Sequence, residues 1–215
     1  DIKTLAHDCL HDPQHISLIT ERAAPESIEH YFVYLHPKHK QTELIKYLKG
    51  EEVEQMLIFC NARHMVDKLF NDIRKDFDDI EFMHAGLSQE KRSAIFRRFK
   101  QRKVRYLIAS DVAGRGLDFS HVSHVVNWNY PRGNEQYTHR TGRTGRMGRK
   151  GKAFTFVTKN DVPNLRDLIH KKKISPCWIG EDPLKKSSTH QKQKTRRKGK
   201  RPFRQHPARE KGYQK

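Results

Sequence analysis

The 215-residue sequence predicts an α/β fold, a mostly parallel sheet of five to six strands with helices on both faces. Short apolar runs of strand length recur near positions 56, 80, 104, 123 and 153. Amphipathic stretches separate them, and a strand–helix alternation of this kind calls for parallel pairing. The runs are nearly continuous in apolar residues rather than alternating, as expected of strands buried on both faces.

Residues 1–25 read as a connector, with a weak helix over 2–10, a turn at Asp12-Pro13 and an extended piece over 16–19. A strand over 31–35 leads into a helix over 38–49, and Met56-Leu57-Ile58-Phe59-Cys60 is a strand followed by a helix over 63–75. The strand at 80–84 precedes a helix over 88–100. Ser88 supplies the N-cap of that helix, and Glu90 and Lys91 sit in its first turn. Strands at 104–109 and 122–127, a short helix at 135–140, a strand at 153–157 and a helix at 162–172 complete the series. The pattern ends near Trp178, so one domain is expected over 26–180, with a separate tail over 181–215.

Charge separates body from tail. The net charge is +19, of which 13 basic residues and one acidic residue, Glu210, place +12 in residues 183–215. That segment has Leu184, Phe203 and Tyr213 as almost its only large apolar side chains, too few to offset the entropy of ordering, so it is expected to be disordered. A strongly basic chain points to nucleic acid as partner, and no apolar face accompanies the tail charge as a membrane surface would require. No run approaches roughly 18 consecutive apolar residues and no signal-peptide core is present, so a soluble, cytoplasmic protein is expected, or a nuclear or nucleolar one in a eukaryote. Cys9, Cys60 and Cys177 are widely scattered without a CxxC pair, which argues against a disulfide framework and a zinc site; with the histidines scattered too, no metal site is expected. The chain starts at Asp1 without an initiator methionine, as a fragment or a processed product would.

The chemistry is concentrated in loops. Asn61-Ala62-Arg63, Ala85-Gly86-Leu87-Ser88, Ser110 to Asp118, and Trp128-Asn129-Tyr130-Pro131 each follow a strand, which places them on the carboxyl edge of a parallel sheet, where ligands gather. The last leads into His139 and four arginines at three-residue spacing, Arg140, Arg143, Arg146 and Arg149, each with glycine two places on. Arginine forks match phosphate oxygens and glycine permits close backbone approach. By themselves these triplets also fit a flexible RNA-coating repeat or a solvated basic turn.

Together these segments resemble the C-terminal RecA-like domain of DEAD-box RNA helicases, over about residues 26–175. Leu57-Ile58-Phe59-Cys60-Asn61-Ala62-Arg63 is similar to the family's motif IV, Gln89 and Arg92 to its Q-x-x-R element, Ser110 to Asp118 to motif V, and Tyr137 to Arg146 to motif VI. The resemblance implies an ATP-dependent RNA helicase whose two RecA-like domains close over ATP and RNA. Arg143 and Arg146 would act as arginine fingers on the γ-phosphate, with Asp118 and Gly116 near the nucleotide. Arg63, Gly86, Gln89, Arg92, Ser110 and Arg115 would face the RNA backbone, a contact independent of base sequence. His139 and Arg140 would bridge to the N-terminal RecA-like domain. Plainer roles stay open: Asp118 paired with Arg115, Gln89 as a first-turn residue, His139 as a packed histidine, Arg149 as a solvated or RNA-facing cation. Ala62, Ser110 and Gly114 depart from the family's usual Thr, Thr and Ala, and Asn129 stands where a carboxylate is common.

No G-x-x-x-x-G-K-[ST], Asp-Glu-Ala-Asp or Ser-Ala-Thr occurs. The phosphate cradle and the Mg²⁺ ligands are therefore expected upstream, and this chain alone is expected to have little or no ATPase or unwinding activity. The tail reads as an RNA tether, a protein-docking segment or a solubilising extension. A non-catalytic RNA-binding module is the alternative to half a helicase.

Overall fold

The computed structural model describes residues 27–111 and 121–185, together with Cys9, His11 and Ala24. Most of the expected connector, the motif V residues Gly114, Arg115, Gly116 and Asp118, and tail residues 186–215 lie outside the described residues.

Seven strands, β1 Ile28–Tyr34, β2 Met56–Cys60, β3 Ile80–Met83, β4 Tyr106–Ser110, β5 His124–Asn127, β6 Gly151–Val157 and β7 Pro176–Ile179, form one sheet in the order β3-β4-β2-β5-β6-β1-β7. Every pairing is parallel, including β2 with β4 (Met56 opposite Tyr106) and β1 with β6 (Ile28 opposite Gly151). The sheet thus has seven strands rather than five to six. The added strand, β7, is short, begins at a proline and is only partly buried, as an edge position allows.

The described residues hold five α-helices, α1 Lys40–Gly50, α2 Arg63–Ile73, α3 Gln89–Lys100, α4 Asn134–Thr141 and α5 Val162–Lys172. Strand alternation sends them to opposite faces. Met56, Ile58 and Cys60 pack in a cluster with Leu44 and Leu48 of α1 and Val66, Leu69 and Ile73 of α2. Leu57 and Phe59 join a second cluster with Phe99 of α3. A third, around Phe32 and Val157, takes Tyr137 of α4 with Leu165 and Leu168 of α5. Local signals set the helix ends: Ser88 Oγ accepts from the Lys91 N–H (3.3 Å), and Lys173 closes α5 in the left-handed region.

Parallel strands put all carboxyl ends on one edge. Asn61 follows β2, His84 to Gly86 follow β3, Ser110 and Asp111 end β4, and Asn127 and Asn129 end β5. The sheet order makes three of these strands, β3, β4 and β2, adjacent.

Candidate functional site

Gln136 and Arg140, one helical turn apart on α4, both reach Asp111 at the end of β4. Arg140 is 1% exposed, and each of its five N–H groups has an acceptor. Nε donates to Asp111 Oδ1 (2.6 Å) and Nη2 to Asp111 Oδ2 (2.7 Å), a bidentate fork. The second Nη2 hydrogen goes to Asn61 Oδ1 (2.6 Å), and Nη1 serves Asn127 Oδ1 (3.3 Å) and the Asn129 carbonyl (3.0 Å). The guanidinium lies 5.2 Å from the centre of the Phe59 ring. Asn129 Oδ1 accepts from the Asn61 N–H (3.2 Å), and Asn61 Nδ2 donates to the Tyr130 carbonyl (3.0 Å). One buried cation therefore ties together the loops after β2, β4 and β5. An interdomain contact was expected of Arg140; in this domain its five donors already have acceptors.

Beside this hub opens a cavity of about 300 Å³ lined by Phe59, Asp111, Arg132, His139, Arg140 and Arg143, among others. His139 is exposed, so it can meet a second surface where Arg140 cannot. Arg143 is half-buried, and burial, then the positive charge of Arg146, depress its guanidinium pKa. Such a cation gains from an anionic oxygen beside it.

Arg146 lines a different cavity, about 410 Å³, with Glu54, Arg102, His121, Arg149 and Lys150 among its walls, and its Nε donates to the Gly142 carbonyl (2.7 Å). The tract turns between Arg143 and Arg146 where Thr144 Oγ1 shares its one proton between the carbonyls of Val122 (2.7 Å) and Ser123 (2.8 Å), just before β5. The whole tract was expected on the carboxyl edge; its second half instead crosses to the amino edge. Gly145, at φ +66°, seats there: a Cβ would fall 2.6 Å from Ile28 Cγ1, at the first residue of β1. Gly151 is as constrained, with Thr144 Oγ1 2.3 Å from the place of a Cβ. These glycines serve packing of an ordered segment.

The residues expected to face RNA follow the three adjacent strands. Arg63 is exposed at the first position of α2. Ser110, at the end of β4, is buried, and Gly86 follows β3. His84 shapes that loop, because its Nδ1 accepts from the Gly86 N–H (3.0 Å) while Nε2 donates to Asp67 Oδ1 of α2 (2.9 Å). A Cβ on Gly86 would stand 3.0 Å from His84 Nδ1. Gln89 Oε1 accepts from Arg92 Nη1 (3.2 Å), so Gln89 orients Arg92.

Sequence reasoning missed Asp111 as the partner of Arg140, and it missed Lys40. Lys40 stands at the same four-residue spacing as Leu44 and Leu48, a charge on an apolar face, and that was the available signal. Its Nζ donates to the Trp128 carbonyl and lies 4.7 Å from the centre of the Trp128 ring, anchoring the loop that feeds Asn129 to Arg140. Burial pulls its pKa down to about 8.

A second buried group anchors α4. His30 of β1 shares a 2.7 Å hydrogen bond with Tyr137 Oη. Burial lowers the His30 pKa from 6.5 to about 4. As pH falls through 6.5 the unfolded chain gains a proton there that the folded one refuses until about pH 4. The stability present above pH 6.5 is lost over that window, by about 3 kcal/mol. His124 is lowered too, by burial first, and adds in the same direction. Urea unfolding at several pH values should show the slope, and His30→Phe should flatten it. An unchanged slope in that variant would exclude His30 as a source.

The family model "Helicase conserved C-terminal domain" matches residues 39–148, just over half of the chain. The chain is 33% identical over 172 residues to the ATP-dependent RNA helicase DbpA of Bacillus subtilis, covering 78% of this chain and 35% of that protein. It is 36% identical over 177 residues to the ATP-dependent RNA helicase CshA of Listeria monocytogenes, covering 81% and 34%. It spans about a third of the length of these curated relatives. Among solved structures, the E. coli DEAD-box protein SrmB, bound to regulator of ribonuclease activity A, superposes with a TM-score of 0.66 at 31% identity, covering 72% of this chain and 92% of that one. S. cerevisiae Dbp5 bound to RNA and ADP BeF3 has the same fold, with a TM-score of 0.75 at 24% identity and coverage of 83% and 48%. The chain belongs to the helicase conserved C-terminal domain family, as the C-terminal RecA-like domain of a DEAD-box helicase.

Proposed function

We propose that this domain is the C-terminal half of an ATP-dependent RNA helicase, which supplies Arg143, with Arg146, to the phosphates of an ATP held mainly by an upstream RecA-like domain. The observation that carries the reading is Arg143 itself, a half-buried cation with a depressed pKa beside a cavity on the carboxyl edge. A guanidinium so placed fits a phosphate oxygen, and its charge would neutralise that developing on the transferred phosphoryl group. Asp118 and Gly116 keep their proposed place near the nucleotide, and Arg115 its place on the RNA. Magnesium ligands would lie upstream; of the carboxylates here, Asp111 already accepts from Arg140 and Gln136 through both oxygens.

On the RNA side, Arg63, Gly86, Gln89, Arg92 and Ser110 would follow one strand's phosphates along the ends of β2, β3 and β4. His139, exposed, would meet the upstream domain. The tail, +12 in 33 residues, would raise the local RNA concentration. A second reading, an RNA-binding module without ATP coupling, draws on Arg146, whose Nε is engaged with Gly142.

The chain alone, given ATP and RNA, should turn over little or no ATP, and joined to its upstream domain it should hydrolyse ATP when RNA is added. Robust turnover by the 215-residue chain would overturn the division of labour. An RNA-binding but ATP-inert two-domain protein would support the second reading.

A further inference from the structure

The outward face of α3 carries a groove of which the reading above uses only one end, Gln89 and Arg92. Gln89, Arg92, Ser93, Phe96, Arg97 and Lys100 line one groove of about 310 Å³. Their spacing of three, four, seven, eight and eleven residues from Gln89 is that of a single helical face. Arg97 and Lys100 are exposed, and among the described residues neither forms an ion pair. Arg98, on the opposite side of the helix, pairs with Glu81, so the two faces differ in net charge. The only carboxylate of α3, Glu90, lies in its first turn, about 10 Å along the axis from Arg97.

Cations in a last helical turn are ordinarily explained by the helix dipole. That accounts for the location of Arg97 and Lys100 along the helix. It does not account for the groove, or for Arg92 Nε, a buried N–H donor without a partner; Phe96 packs inward against the cluster of Leu57 and Phe99 and also lines the groove wall. A basic groove with an aromatic wall is the arrangement that follows a single strand, with phosphates on the cations and a base against the ring. Arg92 stands at one end of the groove and Lys100 about 12 Å further along the helix axis. At the roughly 3.4 Å rise of a stacked strand that distance spans about three nucleotides, and fewer where the strand is extended.

We propose that this face of α3 is an RNA track that continues the strand beyond Arg92, with Arg97 and Lys100 holding its phosphates and Phe96 meeting a base. The proposal rests on the RNA-binding reading and lengthens its site. The test uses the full chain and fluorescein-labelled oligouridylates of about six and about twelve nucleotides, titrated across a salt series. The double variant Arg97→Ala, Lys100→Ala should bind the longer oligomer about three- to tenfold more weakly, with its salt slope reduced by about 1.4, and the shorter one unchanged. Both side chains are exposed, so the melting temperature should hold. Arg92→Ala should weaken both lengths.

Equal losses on both lengths, or none, in the double variant would overturn the track while leaving the Arg92 contact in place. If Arg92→Ala changes neither length, the underlying RNA reading fails and the track fails with it. If polyglutamate loses affinity in the double variant while the longer oligouridylate does not, the face docks an acidic protein segment and the proposal is wrong.

Discussion

Replacing Arg140 by alanine is expected to lower the unfolding free energy of the domain by about 3–5 kcal/mol, the cost of removing one partner from a buried ion pair. The substitution leaves the Asp111 carboxylate, 27% exposed, facing a void, together with Asn61 Oδ1, Asn127 Oδ1 and the Asn129 carbonyl. Arg140→Lys should recover only part of the loss, since an ammonium has three donors and no planar fork. Urea unfolding of the chain measures both. A loss under about 1 kcal/mol would return Arg140 to a contact outside the domain, for in that case its role would be felt in coupling to ATP or RNA rather than in stability.

Arg143→Ala should act the other way, on turnover and hardly on the fold. In the two-domain protein it is expected to slow RNA-stimulated ATP hydrolysis about 10³-fold, at the lower end of what an arginine finger contributes. RNA affinity without nucleotide should stay within about twofold, because the residues proposed for RNA follow β2, β3 and β4 on other loops. Arg143→Lys should restore little, as a point charge cannot repeat a forked contact. Single-turnover hydrolysis separates the chemical step from nucleotide binding. A loss below tenfold would remove Arg143 from the phosphate, and the same experiment on Arg146→Ala would show whether that side chain leaves Gly142 and its own cavity on domain closure.

Much of the fold was legible because its signals are local. The run Met56 to Cys60 is apolar at every position and is buried at every position. The helix expected over 162–172 coincides with α5, and Ser88 caps α3 as its hydroxyl predicts. β7 was not legible, since Pro176-Cys177-Trp178-Ile179 is short and half-exposed, and its strand character comes from pairing with β1, some 150 residues earlier. Strand ends shifted by one to three residues for the same reason: Ile28 and Gly151 are strand because they face each other.

The arginine–glycine tract shows the limit most clearly. By itself the sequence determined that four arginines at equal spacing lie just beyond a buried strand, in a motif shared with a family of helicases. Spacing treats them alike. Only the tertiary structure decided that Arg140 is buried in the hub, that Arg143 faces the carboxyl-edge cavity, and that Arg146 and Arg149 turn toward another. The physical reason is that a guanidinium can be buried only where acceptors converge on all its donors. For Arg140 those acceptors come from Asn61, Asp111, Asn127 and Asn129, on three loops that the chain brings together only once the sheet has formed.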